Sequence, residues 1–175
     1  MNLTSINGLD QVNTLATHTA LTAWSAASDF LIIIVLLGLL FVFARGVGRG
    51  PFVALLLAFY AAYALYAAFP YASLLPTAPA ITAVLAHAGL YLALVFIFYI
   101  ILRRVAASDF IYIGLFGLFI LSFLGSAFLL ALAYHTFSVT SIYQFTPAIS
   151  MLFSPNEFFF WWFIAPAIGL FFLAR

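Results

Sequence analysis

Long apolar runs separated by short polar or glycine- and proline-containing turns dominate the sequence after residue 28. Each run is close to the roughly 20 apolar residues that a helix needs to cross a bilayer. The pattern therefore predicts an all-α, polytopic bundle of five transmembrane helices, at about 29–44, 52–69, 81–102, 109–134 and 157–174. Residues 1–28 are more polar, and their apolar positions recur every third residue without forming one stripe. We expect them to form a loose or surface-lying segment outside the membrane.

The last third of the chain carries signals for helix starts. Thr146 followed by Pro147 is typical of a cap and a first-turn proline, which predicts a short helix lying in the outer membrane interface. Ser154 and Glu157 have the spacing of a capping box at the start of the last helix. Pro166 is expected to break that helix, which leaves a re-entrant or interfacial segment as the alternative.

The composition excludes a soluble domain. Hydrophobic residues make up 68% of the chain and charged residues 5%, against roughly 25% charged residues in soluble domains. Five crossings use nearly all of the 175 residues, so any function must reside in helices and short loops. The absence of cysteine excludes disulfides and thiolate chemistry. A net charge of +1 provides no polybasic patch, so we expect no nucleic-acid partner.

Arginine positions predict the topology. Every cationic side chain is an arginine, and each follows or precedes an apolar run: Arg45, Arg49, Arg103, Arg104 and Arg175. Because arginine and lysine collect on the cytoplasmic side of membranes, these residues predict an outside N-terminus and a cytoplasmic C-terminus. The expected location is a bacterial-type inner membrane, with the lipid bilayer as the immediate partner.

Small residues form two predicted packing faces, because they allow helices in a membrane to approach closely. The two faces contain Ala54, Ala58 and Ala61 on the second helix, and Gly114, Gly117 and Gly125 on the fourth. We expect these faces to bring the chain into a homo-oligomer or a complex with other membrane proteins.

Ionisable residues within a span are functional candidates by default. His87 lies two turns into the third helix, with Tyr91 one turn further on the same face, and Asp29 lies at a similar depth if the first helix begins near Trp24. An Asp29–His87 pair would relay a proton or hold a polar ligand. The alternative is an interfacial histidine bonded to a tyrosine, to backbone or to water.

Other chemistry has little support in the sequence. Three dispersed histidines without a clustered acid do not make a metal site, and no phosphate loop, paired catalytic carboxylates or nucleophile motif is present. We therefore expect no enzymatic activity and no cofactor. The 31 phenylalanines and tyrosines would suit a cavity for a quinone or another apolar ligand, although lipid-facing bulk explains them more simply.

A five-residue sequence, Ala-Ala-Ser-Asp-Phe, occurs at 26–30 and again at 106–110. The predicted topology puts the two copies on opposite faces of the membrane, as an inverted repeat would. The alternative is that Ser-Asp is a favourable way to begin a helix.

Three features together resemble the CvpA (colicin V production protein) family of small bacterial inner-membrane proteins. They are an aspartate that opens the first helix, an Arg-Gly-x-x-Arg turn at its inner end, and an aspartate followed by a glycine-bearing helix: Asp29; Arg45, Gly46 and Arg49; Asp109, Gly114 and Gly117. The likeness covers about residues 29–134. It implies a non-enzymatic role in envelope homeostasis or export. The alternative function is a small proton-coupled transporter or channel that uses Asp29 and His87.

Overall fold

The computed structural model of the chain describes residues 3–71, 75–106, 113–137 and 139–173. The predicted all-α fold is confirmed in this part of the chain. Its helices are α1 (Leu3–Val47), α2 (Arg49–Ala67), α3 (Ala80–Ala106), α4 (Leu115–His135), α5 (Pro147–Phe153) and α6 (Asn156–Leu173), with a single 3-10 turn at Val139–Ser141.

Within the described ranges, five helices are long and apolar enough to cross a membrane, and they comprise Ala27–Val47 of α1, α2, Ala80–Val105 of α3, α4 and α6. The chain is therefore a multi-pass integral membrane protein. The 21-residue span of α1 is about 31 Å long at 1.5 Å per residue. This length matches a hydrocarbon core of about 30 Å.

Helix α1 begins much earlier than predicted. It is continuous from Leu3, so its 45 residues extend about 67 Å. The N-terminal segment is therefore helical and not loose, and the alternative that it lies on the membrane surface stays a prediction. No proline precedes Pro51, so nothing in the sequence forces the helix to end or to start near Asp29. Asp29 consequently lies inside a helix. The Ser28 hydroxyl donates to the Trp24 carbonyl one turn back, 3.0 Å away.

The alternative explanation of the five-residue sequence, that Ser-Asp begins a helix, is therefore wrong for its first copy. Most of the second copy, including Asp109, lies outside the described residues. An inverted repeat stays a prediction. The fourth helix begins at Leu115, with Gly114 as its extended N-cap residue, so it starts about six residues later than the predicted start near residue 109.

The predicted hairpin between the first two spans is confirmed. Gly48 links α1 to α2 with φ of 108°, a conformation that only glycine adopts without strain. The Phe43 ring of α1 lies 5.9 Å from the Tyr99 ring of α3. The C-terminal ends of α1 and α3 therefore meet at one end of the bundle, which we call the arginine end because Arg45, Arg49, Arg103 and Arg104 lie there. Arg175 is outside the described residues.

Helix α4 occupies the centre of the bundle. It packs against α1 and α6, whereas α2 packs mainly against α3 and also against α1. Most of α4 is buried, including Leu118, Leu121 and Phe128. The Phe128 ring stacks on Phe59 of α2 and also contacts Phe163 of α6, so these aromatic rings connect three helices.

The predicted packing residues are used inside the single chain. Ala54 and Ala58 are completely buried, and Gly117 and Gly125 are also buried, whereas Ala61 is half-buried and Gly114 is exposed. A Cβ atom on Gly125 would lie 3.0 Å from Leu56 of α2 and 3.2 Å from Leu40 of α1. The chain's own helices therefore cover Ala54, Ala58, Gly117 and Gly125, and association through these four residues would require the bundle to open.

Pro166 does not break the last helix. α6 runs continuously from Asn156 to Leu173 with Pro166 buried inside it, so the prediction of a broken helix is wrong. A proline removes one helical hydrogen bond, and neighbouring helices can satisfy the backbone groups nearby. Close to Pro166, the Tyr60 hydroxyl of α2 donates to the Phe163 carbonyl at 2.6 Å.

Candidate functional site

A cap segment, residues 139–155, covers the end of the bundle opposite the arginine end. It contains the 3-10 turn and α5. The predicted short helix is confirmed, since Thr146 is the N-cap residue of α5 and Pro147 lies in its first turn. The Thr146 side chain makes no capping hydrogen bond to α5 itself. Its hydroxyl bonds Asp29 of α1 instead.

Asp29 fastens the cap segment to α1. Its side chain is 1% exposed and lies close to the cap end of the span that starts at Ala27. The carboxylate accepts hydrogen bonds from the Tyr143 hydroxyl at 2.8 Å, and from the backbone N–H and the hydroxyl of Thr146, both at 2.6 Å. A carboxylate offers only acceptors, and it is favourable beside the N-terminus of a helix such as α5. The surroundings of Asp29 are therefore those of an ionised structural carboxylate.

The other end of α5 is fastened to α4 and α6. His135 donates through Nε2 to the Phe153 carbonyl at 2.8 Å, and Trp162 donates through Nε1 to the Leu152 carbonyl at 3.0 Å. These carbonyls belong to the last turn of α5, where no intrahelical donor reaches them. Both ends of α5 are thus held by side chains from the transmembrane helices.

The predicted capping box does not form. Ser154 is the C-cap residue of α5 and its backbone N–H donates to Ser150, while α6 starts at Asn156. Glu157 is exposed in the first turn of α6, where a negative charge is favourable.

His87 and Asp29 do not pair in the described structure. The His87 Nδ1 atom and the Tyr66 hydroxyl of α2 share a hydrogen bond of 2.7 Å. Tyr91, 2% exposed, donates to the Phe59 carbonyl of α2 at 3.0 Å. The predicted Asp29–His87 pair is therefore wrong, and the alternative of a histidine bonded to a tyrosine agrees with the structure.

The physical reason is the packing order of the helices. α3 packs against α2 through most of its length, while α1 packs against α4. At this end of the bundle, Phe137 covers Tyr91 with a ring separation of 5.3 Å. His87 and Tyr91 therefore belong to the α2–α3 interface, and Asp29 belongs to the α1–cap interface.

An apolar groove lies beneath the cap segment and beside Asp29. α4 forms its floor, α1 and the cap segment form its walls, and Trp162 of α6 lies at its edge. The cavity has a volume of about 320 Å³. The principal lining side chains are Ile33 and Leu36 of α1, Phe123, Ala127 and Leu130 of α4, Tyr143 and Phe153 of the cap segment, and Trp162.

The polar groups of the lining are already hydrogen-bonded. Ser126 donates its hydroxyl to the Ser122 carbonyl at 2.8 Å. Tyr143 donates to Asp29, and Trp162 donates to Leu152. The surface that faces the groove is consequently almost entirely apolar, so the groove suits an apolar molecule and offers no chemistry at its floor.

Metal binding has no support in the described part of the chain, where no three His, Cys, Asp or Glu side chains group together. The chain matches no protein-family model, and neither a curated protein nor a solved structure is significantly similar to it. The resemblance to the CvpA family thus stays a prediction.

Sequence reasoning identified Asp29 but missed its partners. Tyr143 and Thr146 are more than a hundred residues away along the chain, and no local pattern indicates that either residue contacts α1. The Thr146-Pro147 pattern predicted the start of α5 but not that the Thr146 hydroxyl bonds Asp29.

Titration of Tyr143 tests the Asp29 contact. The hydrogen bond to the Asp29 carboxylate, with smaller contributions from burial and from the negative charge, raises the pKa of the Tyr143 hydroxyl above its ordinary value. The contact therefore contributes stability below the pKa of an unfolded tyrosine, and that stability is lost as the pH rises through the higher folded pKa. We expect the difference in absorbance near 295 nm between wild type and Tyr143→Phe to titrate at higher pH than free tyrosine.

In this experiment, Asp29→Asn is expected to lower the midpoint for Tyr143, because the negative acceptor is lost. A midpoint at or below that of free tyrosine in the otherwise unchanged protein would contradict the contact.

Proposed function

We propose that this integral membrane protein is non-enzymatic and binds an apolar molecule from the bilayer in the groove beneath the cap segment. The observation that carries this proposal is the cavity of about 320 Å³. Ligand sites occupy about 300–1,000 Å³ and are mostly apolar, with a few polar groups nearby. A bilayer supplies apolar molecules directly to such a groove.

The position of Asp29 supports binding over proton transport. Its carboxylate is buried and accepts hydrogen bonds from backbone and side-chain donors of the cap segment, an arrangement that fixes one wall of the groove. His87 bonds Tyr66 elsewhere, which leaves the proposed proton-coupled carrier without its central pair. We therefore assign Asp29 a structural role at the site.

The membrane and the orientation are also proposals. The arginines at one end of the bundle favour a bacterial-type inner membrane with that end in the cytoplasm. In this orientation the cap segment lies on the outer side of the membrane, and the groove opens into the outer leaflet. The resemblance to the CvpA family implies a role in envelope homeostasis or export. The protein would perform this role by binding the apolar molecule in the groove.

Quenching of Trp162 by iodobenzene tests the proposed function. Iodobenzene is compact and apolar, and its iodine atom quenches tryptophan emission. In a protein that carries Trp24→Phe and Trp161→Phe, both at exposed positions, Trp162 is the remaining tryptophan. We expect saturable quenching in detergent micelles. Ala133→Phe, which adds a ring to the groove lining, should weaken binding at least about fivefold, the equivalent of about 1 kcal/mol.

The matched control is Ala93→Phe, at an exposed position of α3, and it should leave the binding curve unchanged. Quenching that rises linearly with iodobenzene, equally in all three proteins, would show partition into the micelle and would refute the proposed function.

A further inference from the structure

The shape of the groove identifies its occupant more closely. On α4 the lining runs from Phe123 to Ala133, which is about 15 Å at 1.5 Å per residue. The groove is therefore an elongated apolar channel of about 320 Å³ that follows α4, a shape that matches an extended acyl chain.

The depth of the groove matches one leaflet. Ala133 lies two residues from the cap end of α4 and Phe123 lies twelve residues from it, about 18 Å below. Half of a hydrocarbon core is about 15 Å thick. The groove therefore reaches from the membrane surface to about the bilayer midplane, as the acyl chain of a lipid does.

The rim of the groove faces the bilayer. Phe123 and Leu152, at its deep and cap ends, are 45% and 50% exposed, and both side chains are apolar. α1 and α6 each pack on α4, so α4 forms the bottom of a channel that is open sideways to lipid. Trp162 lies at the level of the cap, where tryptophan is favourable beside lipid head groups.

From these observations we infer that the groove holds an acyl chain of a phospholipid in the leaflet at the cap end. The chain enters sideways with its methyl end near Phe123, and the head group stays outside, level with α5. The side-chain hydrogen-bond donors that line the groove are all bonded within the protein. They therefore do not draw the polar head group into the groove. This inference rests on the proposed function, because it names the molecule that the groove binds.

Photocrosslinking in vesicles tests the inference. The protein is reconstituted in phosphatidylglycerol with a trace of the same lipid carrying a diazirine at the end of one acyl chain. We expect coupling to α4 near Phe123 and Ala127. Moving the diazirine next to the head group should shift coupling to the neighbourhood of Phe153 and Trp162. Ala127→Phe should lower coupling of the chain-end probe to α4 at least about fivefold, whereas Ala93→Phe should not.

Ala133→Phe, closer to the membrane surface, serves as a second blocking variant in case Ala127→Phe does not fold, and near-ultraviolet circular dichroism reports folding in each case. Coupling to α4 that neither blocking variant reduces would overturn the inference. So would coupling by a diazirine fatty acid without coupling by the phospholipid. If iodobenzene still binds saturably in either case, the groove binds apolar molecules and only the assignment to a phospholipid chain fails. If neither probe binds, the proposed function fails as well.

Discussion

Replacement of Asp29 by leucine is expected to release the cap segment from α1. Leucine is similar in size but offers no acceptor, so the Tyr143 hydroxyl and both Thr146 donors lose their partner. A buried donor left without an acceptor costs about 1–3 kcal/mol. Because water at the membrane surface can reach some of these donors, we expect a total of about 3 kcal/mol.

Cysteine labelling measures this release, since the chain contains no native cysteine. Ile149 of α5 is 8% exposed, so Ile149→Cys should react slowly with a maleimide that cannot cross membranes. If the closed position of the cap segment loses about 3 kcal/mol of stability, the population with the cap segment open rises about 100-fold. We expect Asp29→Leu to raise the labelling rate of Ile149→Cys by that factor, because reaction requires the open state.

Glu157→Leu is the matched control, because it removes an exposed acid at the same end of the bundle. It should change the rate little. Met151→Cys, at an exposed position of α5, should react rapidly in every background when the reagent is added outside cells, which also checks the proposed orientation. Equal rates for Asp29→Leu and Glu157→Leu would show that the carboxylate does not hold the cap.

Replacement of Gly125 by leucine is expected to destabilise the bundle by about 2–3 kcal/mol, as overpacking of a close-packed core does. Even a Cβ atom at this position would lie 3.0 Å from Leu56 Cδ2 and 3.2 Å from Leu40 Cδ1. The three further carbons of leucine would force α4 away from α1 and α2. In a membrane this loss matters, because helix association there depends on close van der Waals packing.

Unfolding in mixed micelles with increasing SDS, followed by near-ultraviolet circular dichroism, measures this effect. Gly89→Leu provides the control. It makes the same change in helix propensity inside α3, at an exposed position where an added Cβ meets no described atom within 4 Å. Gly89→Leu should unfold like the wild type. Equal midpoints for the two variants would mean that α4 does not pack as closely at Gly125 as the structure shows.

The cap segment accounts for the form of the proposed binding site. α5 has seven residues, too few to be stable alone, because isolated helices shorter than about 12–15 residues are marginal in water. Asp29, His135 and Trp162 bond its two ends to three transmembrane helices. This arrangement fixes the wall of the groove without placing a charge inside it. A lateral opening and a fixed wall suit the binding of a lipid acyl chain from the bilayer.

Local signals predicted the parts of the structure that depend on local physics. The spans follow from apolar runs whose length is set by bilayer thickness. The start of α5 at Thr146 and Pro147 was predicted because proline favours the first turn of a helix. A short glycine-containing turn between the first two spans was predicted, and Gly48 adopts the positive φ that glycine tolerates there. Two predictions from local signals were wrong. Pro166 was tolerated because α6 packs against neighbouring helices, and Ser28 and Asp29 did not start a helix because α1 is already helical before them.

The sequence alone did not predict which side chains would contact partners that are distant in the chain. A histidine and an aspartate at similar depth are equally compatible with contact and with separation, and the outcome depends on which helices are neighbours. Here α2 lies against α3, so His87 bonds Tyr66, and the cap segment reaches α1, so Tyr143 and Thr146 bond Asp29. The glycines show the same limit, because small residues permit close packing without specifying whether the partner is in the same chain.

The sequence alone determined that this protein lies in a membrane, how many helices are apolar enough to cross it, and where its arginines collect, because transfer into lipid is a property of each segment by itself. Only the tertiary structure decided that α4 is the central helix, that Asp29 fastens a cap, and that an apolar groove lies beneath it. Those features arise from the order in which the helices pack, and the energies of packing and hydrogen bonding depend on partners distant in the chain.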